Sequence, residues 1–307
     1  MDGLILIDKP QALTSHDIVL EIRKTLHIQK IGHFGTLDPL ATGLLIIAIG
    51  KATKLFPFFS KEDKIYRGRI RLGFSTDTYD SLGKPISLEK QLLPDKEKIL
   101  LAMEQFRAEV RQIPPPFSAK KYRGKPLYKL ARGKREFQLK PCTIFIHYFE
   151  LKSYEPPFLY FEVKCSSGTY IRSIAHDLGQ SLGCGAHLSE LTRTDVGNFR
   201  LADSFTLKKV KTLAEKGEFE SFLIPLESLL PKFPKVILNE TGATLTKNGS
   251  TVFPENILKV FPCEPSLSDA PEEKEMIFRL FSLEGKLLAL AKRGSQKKSL
   301  CPFLVIN

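Results

Sequence analysis

The sequence has few of the features that mark exported, metal-binding or membrane proteins. Its five cysteines lie at positions 142, 165, 184, 263 and 301, and no two of them form a C-x-x-C pair. An odd, scattered set argues against a disulfide framework and against structural zinc, so a reducing cytoplasm is the expected location. The first residues, MDGLILIDKP, lack the pattern of a signal peptide, and the longest apolar stretch, LLIIAIG at 44–50, is too short to cross a bilayer.

Acidic residues are in the minority. The chain has 46 Lys and Arg against 34 Asp and Glu, a net charge of +12, which favours a polyanionic partner. Residues 118–140 hold nine of the basic residues and one acid, with Tyr122, Tyr128 and Phe137 among them. Clustered cations with aromatic rings are what phosphate neutralisation and base stacking require. This segment predicts RNA or DNA binding, and a solvated basic loop is the plainer alternative.

The periodicity of apolar residues predicts a mixed α/β domain. KIYRGRIRLGF at 64–74 alternates, which places its arginines on one face of a strand and most of its apolar residues on the other. FLYFEVKC at 158–165 alternates in the same way, and apolar residues over 171–182 recur at helical spacing. Strands and helices are therefore interleaved along the chain.

Two prolines in ESLLPKFPK at 227–235 mark a candidate domain boundary. Beyond it we expect a helix near Thr241 and short strands near 257–261, 276–281, 286–291 and 303–306. This pattern predicts a small, mostly β barrel or sandwich. The acidic stretch EPSLSDAPEEKE at 264–275 is expected to be a mobile loop within it.

A single carboxylate, Asp38, lies in the uncharged run GHFGTLDPLATG at 32–43. Asp followed by Pro is a good start for a helix, so a helix N-cap is one interpretation. The alternative is a functional carboxylate, held rigidly at a strand-to-helix junction, where Gly32 and Gly35 let a ligand approach the backbone.

Other polar residues are ambiguous when taken alone. His33 has no neighbours that complete a metal site, and Tyr66 suits the rim of an apolar sheet face. Tyr170 and Arg172 lie at a predicted helix start, a place suited to anions, although Arg172 could equally be an ordinary solvated residue. Asp77 and Asp80 lie in STDTYDSLGKP at 75–85, where turn formation is a more common role than Mg²⁺ binding.

These residues fall within a set of motifs that resembles one known family. GHFGTLDPLATG closely resembles the catalytic motif of the TruB family, the bacterial tRNA pseudouridine-55 synthases. Further stretches resemble the family in the same order: IDKPQALTSHD (7–17), GKATK (50–54), DKIYRGRIRLGFSTDTYD (63–80), IPPPFSAKKYRGKPLYKLARGK (113–134) and CSSGTYIRSIAHDLGQSLGCGAHLSELTR (165–193). TGATLTKNGS (241–250) is similar, more weakly, to the family's PUA-type RNA-binding appendage. Phe34 and Lys120 depart from the family, which has Thr and Leu there, without removing a chemical group.

The resemblance implies a pseudouridine synthase fold, with a central mixed, largely antiparallel sheet flanked by helices and loops. It implies a catalytic domain over 1–230, with a basic RNA-binding insertion around 113–140, and a PUA-like β-barrel over 231–307. The implied reaction isomerises uridine 55 in the T-loop of tRNA, with no metal, nucleotide or redox cofactor and no membrane. The expected partner is the T-arm of tRNA, and the expected state is a monomer.

The resemblance also assigns roles at the reacting centre. Asp38 matches the essential aspartate, which acts by attack at C1′ or C6 or as a base at C2′, and must be ionised. Arg172 matches its arginine partner, and a close guanidinium typically lowers a carboxylate pKa by about 1–3. Tyr66 matches the tyrosine that stacks on the uracil. Tyr170 matches a pocket tyrosine that handles the proton at C5.

The remaining assignments concern substrate binding. Leu191 matches a leucine that touches the base, and His33 matches the residue that fills the space left by the flipped uridine. Lys9, with Pro10, is expected to buttress Tyr66. Lys54 and the 118–140 segment are expected to contact phosphates.

Two other functions compete with this interpretation. A non-catalytic RNA-binding protein would share the basic segment and the C-terminal region, but it would not require Asp38, Tyr66 and Arg172 together. A Mg²⁺-dependent nuclease would use Asp77 and Asp80, and its cleavage would be sensitive to EDTA.

Overall fold

The fold is described from a computed structural model, for residues 1–116, 121–122, 125–126, 140–262, 276–296 and 298–306. Most of the basic segment 118–140 and all of the acidic stretch 264–275 lie outside the described residues. None of the helices in the described part of the chain combines the length and the apolar character needed to cross a bilayer.

The described strands are β1 (Gly3–Lys9), β2 (Ile31–Phe34), β3 (Thr42–Ile49), β4 (Lys64–Leu72), β5 (Ala108–Gln112), β6 (Lys121–Tyr122), β7 (Lys125–Pro126), β8 (Cys142–Glu155), β9 (Phe158–Cys165), β10 (Ala186–Val196), β11 (Phe199–Arg200), β12 (Phe205–Thr206), β13 (Ile224–Pro225), β14 (Lys235–Leu238), β15 (Ile257–Phe261), β16 (Ile277–Phe281), β17 (Leu287–Arg293) and β18 (Leu300–Val305). The described α-helices are α1 (Ser15–Leu26), α2 (Phe56–Phe59), α3 (Lys96–Glu104), α4 (Ile171–Ser181), α5 (Leu207–Glu215) and α6 (Glu240–Lys247). Short 3₁₀ segments cover Gly50–Leu55, Leu201–Asp203, Phe219–Ser221, Leu226–Ser228 and Pro254–Asn256.

An eleven-stranded mixed sheet forms the larger part of the molecule. Its main path runs β12-β1-β3-β10-β4-β9-β8-β5, with β13 beside β1, β2 beside β3 and β11 beside β10. Most neighbours are antiparallel, but β1 pairs with β12 and β3 pairs with β10 in parallel. The predicted mixed α/β class with a largely antiparallel central sheet is therefore confirmed.

Local sequence explains the elements around the site. In β4 the alternation predicted over 64–74 holds, since Tyr66, Ile70 and Leu72 are buried while Arg67 is exposed. Helix α1 begins with a capping box, in which the Thr14 hydroxyl accepts from the Asp17 backbone N–H. Helix α4 follows β9 directly and buries one apolar stripe against the sheet, as the spacing predicted.

A second, five-stranded sheet of order β15-β14-β16-β17-β18 covers the residues from 235 onward. It packs on the first sheet through a shared apolar cluster that includes Leu4 and Ile46 from one sheet and Phe281 and Leu290 from the other. The Lys54 ammonium also donates to the carbonyl of Val305 at 2.9 Å. The closure of this region into a PUA-like barrel and the domain limits 1–230 and 231–307 stay predictions.

Candidate active site

Asp38 lies in the loop that joins β2 to β3. The prediction of a helix N-cap, or of a strand-to-helix junction, is wrong because a strand follows the loop. The Ala41 N–H donates to the Asp38 carbonyl at 3.0 Å, which closes one turn. The chain then enters β3 at Thr42, where pairing with β10 begins at once. Sheet pairing therefore overrides the local preference of Asp-Pro for a helix start.

Neighbouring elements fix the shape of this loop. The Ser15 hydroxyl at the start of α1 accepts from the Leu37 N–H at 2.8 Å. The Ala12 N–H donates to the Pro39 carbonyl, also at 2.8 Å. These bonds hold the residues on both sides of Asp38, so its carboxylate projects from a constrained backbone.

Arg172, in the first turn of α4, forms an ion pair with the Asp38 carboxylate through two of its nitrogens. Arg172 Nε lies 2.8 Å from Oδ2 of Asp38, and Nη2 donates to Oδ1 at 3.1 Å. The same guanidinium lies 3.4 Å from the Asp80 carboxylate and donates to the Thr78 carbonyl at 3.1 Å. The side chains of Arg172 and Asp80 are each 6% exposed, whereas that of Asp38 is 39% exposed. Of the two carboxylates, Asp38 is the one that a substrate can reach.

Burial and the neighbouring positive charges have opposite effects on the pKa of Asp38. Burial raises the pKa of the Asp38 carboxyl above its ordinary value, against the opposing charges of Arg172 and Lys9. Arg172 lowers the Asp38 pKa, as expected, but the effect of burial is larger. The guanidinium is shared with Asp80, whose own negative charge adds to the rise in the Asp38 pKa. Arg172 limits the rise rather than reversing it.

Asp38 opens into a cavity of about 240 Å³. Its described lining includes four of the predicted site residues, and Asp38 is the one carboxylate among the described residues that line it. Those four residues are Asp38, Tyr66, Tyr170 and Leu191. The structure therefore brings together, in one pocket, residues that are up to 153 positions apart, the span from 38 to 191.

The pocket walls come from three different elements. Tyr66 on β4 and Leu191 on β10 are each 7% exposed, and burial raises the pKa of the Tyr66 hydroxyl. Tyr170 lies at the N-cap of α4 and is held through its backbone. Its N–H donates to Gln112 Oε1 at 2.8 Å, and Gln112 Nε2 donates to its carbonyl at 3.0 Å. An aromatic ring, an aliphatic side chain and a second aromatic residue thus surround the carboxylate.

Besides Arg172, three predicted residues are not among the described residues that line this pocket. Lys9 is fully buried, and its ammonium donates to the carbonyls of Pro10 at 2.9 Å and Leu13 at 2.7 Å. Burial lowers the Lys9 pKa to about 8. Lys54 reaches the second sheet, as described above. His33 is half-buried on β2, and its pKa is lowered by burial and by Arg193.

Asp77 and Asp80 form turns, as predicted. Asp77 Oδ1 accepts from the Lys84 N–H at 2.8 Å, and Asp80 Oδ1 accepts from the Leu82 N–H at 3.1 Å. Asp80 additionally faces Arg172. Both carboxylates are therefore engaged within the turn, and among the described residues no group of three or more His, Cys, Asp or Glu is arranged to hold a metal ion.

Sequence-based reasoning assigned no role to Arg193 or Lys64, and it did not predict the contact of Asp80 with Arg172. Arg193 and Lys64 line the pocket, and Asp80 supports Arg172. The Lys64 ammonium donates to the Ser60 carbonyl at 2.9 Å, and burial lowers its pKa to about 8. The alternation in β4 carried a signal for Lys64, because it lies two residues before Tyr66 and shares its face. Arg193 gave no such local signal.

Comparisons with known proteins show the family of this chain. Two family models match consecutive parts of the chain: "TruB family pseudouridylate synthase (N terminal domain)" at residues 23–171 and "tRNA pseudouridylate synthase B C-terminal domain" at residues 172–231. The protein named tRNA pseudouridine synthase B from Solibacter usitatus (strain Ellin6076) is 44% identical over 249 residues, which cover 81% of this chain and 85% of that protein. The protein of the same name from Bacillus pumilus (strain SAFR-032) is 36% identical over 309 residues, covering 98% and 96%.

Solved structures show the same fold. A chain from the crystal structure of a Cbf5-Nop10-Gar1 complex superposes with a TM-score of 0.71 at 27% identity, covering 99% of this chain and 85% of that one. A chain from the structure of an H/ACA RNP bound to a substrate RNA containing 2′-deoxyuridine gives a TM-score of 0.71 at 25% identity, with the same coverage. Sequence, fold and pocket lead to one conclusion: the chain belongs to the TruB family of pseudouridylate synthases.

Proposed function

We propose that this chain converts uridine 55 in the T-loop of tRNA into pseudouridine. The name shared by its relatives, tRNA pseudouridine synthase B, supports tRNA as the substrate. The observation that carries the proposal is the Asp38 carboxylate, which is gripped by Arg172 and opens into a pocket lined by Tyr66 and Leu191. A carboxylate fixed beside an aromatic ring and an aliphatic side chain suits a flipped nucleoside.

The reaction needs no partner other than the RNA. The N1–C1′ bond of the uridine breaks, the uracil turns, and C5 forms the new bond to C1′. The hydrogen on C5 leaves and N1 gains one, so the product is an isomer and no electrons are exchanged. Asp38 in its ionised form acts on the nucleoside, and Arg172 opposes the neutralisation that burial favours.

The other pocket residues position the base. The ring of Tyr66 stacks on the uracil, Leu191 touches its edge, and Tyr170 lies where the C5 proton is handled. Base flipping costs a few kcal/mol, which His33 offsets in part by filling the space that the uridine leaves. Lys54 and the basic segment 118–140 are assigned to phosphates of the T-arm, and the chain acts as a monomer in the cytoplasm.

The direct test replaces one oxygen of the proposed acid. Asp38→Asn keeps the size of the side chain, and Arg172 retains Asp80 as a partner, so folding and tRNA binding should persist. Unmodified tRNA transcript is incubated with each protein in EDTA, and pseudouridine is mapped by carbodiimide modification and primer extension. We expect modification at position 55 with the wild type and only background with Asp38→Asn.

Two controls make this test specific. A transcript with cytidine at position 55 should give no product, and an isolated T-arm hairpin should be modified. Product from Asp38→Asn at a rate near wild type would refute the role of Asp38. Modification by the wild type at a different uridine would refute the assigned position. RNA cleavage in a parallel incubation with Mg²⁺ that EDTA abolishes would favour a nuclease.

A further inference from the structure

Arg193 is a buried arginine on β10 whose guanidinium donates to backbone carbonyls. The residue is 1% exposed, and none of the described carboxylates forms an ion pair with its guanidinium. An unpaired buried charge is costly unless its donors are satisfied by other polar groups. In this chain those groups are backbone carbonyls.

The carbonyls that Arg193 contacts lie at the two ends of the segment that carries Asp38. Nη2 donates to the carbonyl of Gly35 at 3.0 Å and Nη1 to that of Thr36 at 3.4 Å, before the acid. Nε donates to the carbonyl of Leu44 at 2.8 Å, after it. One rigid guanidinium thus ties together both ends of the segment 35–44.

The backbone of Arg193 adds a second constraint on the same segment. It pairs in parallel with Gly43, so closely that a Cβ on Gly43 would lie 2.4 Å from the Arg193 carbonyl oxygen. Arg193 also pairs with Tyr66 of β4, and its charge opposes the rise that burial causes in the pKa of the Tyr66 hydroxyl. The acid-bearing segment and the pocket tyrosine therefore share one anchor.

We propose that Arg193 is a positioning residue for the isomerisation, which sets the distance between the Asp38 carboxylate and a base stacked on Tyr66. It acts through segment 35–44 and Tyr66 rather than on the RNA itself. Arginine suits this role because its planar fork satisfies three carbonyls at fixed angles, and a lysine ammonium cannot reproduce that fork. This inference rests on the proposed function.

The test is Arg193→Lys, which keeps the charge but loses the fork. A 1 Å misplacement of a reacting group can cost about 100-fold in rate, so we expect kcat to fall by roughly that factor while the KM for tRNA stays near wild type. Deuterium exchange of the amides in 35–44 should become faster. Wild-type activity on the same transcript is measured first, because its absence would overturn the proposed function and not this role.

Arg279 provides a matched control. It is 9% exposed on β16 in the second sheet, and its guanidinium likewise donates to backbone carbonyls, those of Phe233 at 2.9 Å and Leu229 at 3.0 Å. Arg279→Lys should cost comparable thermal stability but leave kcat and the exchange of 35–44 close to wild type. Equal loss of kcat in both variants would mean that Arg193 is merely structural.

A second variant covers the case in which Arg193→Lys does not fold. Gly35→Ala disturbs the same contact from the loop side, since Gly35 has φ +91° and an added Cβ would lie 3.4 Å from Arg193 Nη1. It should give the same pattern, a lower kcat with an unchanged KM. An unchanged kcat in a folded variant, or a raised KM with kcat intact, would overturn the proposal.

Discussion

The guanidinium of Arg172 lies between two carboxylates, one reachable by solvent and one enclosed. Its positive charge is therefore divided, and the ionisation of Asp38 depends on Asp80 as well as on Arg172. Asp80 raises the Asp38 pKa, in the same direction as burial. At the scale of single residues, buried Asp80 thus changes the pKa of Asp38 although Asp80 is not among the described residues that line the pocket.

This arrangement predicts a shift in the pH dependence of activity. Asp80→Asn removes a negative charge near Asp38, so the Asp38 pKa should fall. The acid limb of the kcat/KM profile, where Asp38 becomes protonated, should move to lower pH, whatever the effect on the maximum rate. Asp77→Asn is the control, because Asp77 bonds Lys84 in the same turn and does not reach Arg172. A limb that stays in place, or moves to higher pH, would contradict the coupling.

Several residues of this site could be predicted from the sequence, and others could not, for a physical reason. Asp38, Tyr66, Tyr170 and Leu191 were predicted through their motifs, and they share one pocket. Their individual roles stay predictions. Asp80 was interpreted as a turn former, or as a Mg²⁺ ligand of a competing nuclease, because its contact with Arg172 joins elements that are distant in sequence. Such contacts leave no periodic trace in either partner.

At the scale of elements, the β2–β3 connection shows how pairing decides local conformation. Gly43 stands at its end with φ +96°, in the left-handed region that favours glycine, and its Cα faces the backbone of β10. A side chain there would meet Arg193 and the Thr192 methyl group, at 2.4 Å and 3.0 Å. The close approach of β3 to β10 therefore requires this glycine.

The expected consequence is a large loss of stability in Gly43→Ala. Backbone strain of this kind costs on the order of 1–3 kcal/mol, and the steric clash adds to it. Gly32→Ala is the control in the same motif, since its added Cβ would touch only the Thr53 methyl, at 3.9 Å. Chemical denaturation should give Gly32→Ala near wild type and Gly43→Ala at least about 2 kcal/mol less stable. Equal stabilities of Gly32→Ala and Gly43→Ala would mean that β3 and β10 can move apart to accept the added methyl group, which would contradict the prediction.

Strands in which apolar and polar residues alternate clearly could be predicted from the sequence, but the strands and side chains that lie beside them could not. The pattern in β4 predicted one basic face, and the structure shows each of its arginines paired with a glutamate from elsewhere. The pairs are Arg67 with Glu162, Arg69 with Glu190 and Arg71 with Glu89. That face is close to neutral rather than an extended basic surface. Period-two patterns report which side of a strand is buried, and they do not report which strands lie beside it.

At the scale of the whole molecule, the two sheets share one core. Leu290 on β17 is fully buried in the cluster that also contains Leu4 and Leu6 of β1. Leu280 on β16 is equally buried but belongs to a separate cluster, whose members all lie between Val236 and Val305. The two leucines lie on opposite faces of the same sheet. Substituting Leu290 therefore tests the contact between the two sheets, whereas substituting Leu280 tests packing within the second sheet.

A pair of cavity variants tests this coupling. Leu290→Ala and Leu280→Ala should each lower the free energy of unfolding by about 2–5 kcal/mol, because each truncation leaves a cavity where a buried leucine was. Hydrogen exchange should then differ between them. In Leu290→Ala the amides of β1 and β3 should exchange faster, whereas in Leu280→Ala the increase should stay within the second sheet. Protection of β1 that is the same in both variants would show that the sheets unfold independently.

Two of the side chains that anchor the Asp38 loop, those of Arg172 and Arg193, belong to residues synthesised long after it. The bonds from Arg172 and Arg193 to this loop span 134 to 158 positions of the chain. On the ribosome, the loop therefore emerges well before its anchors, and the reactive pocket cannot assemble until β10 has left the exit tunnel. A partly translated chain that ends before β10 therefore lacks the pocket that the proposed reaction requires.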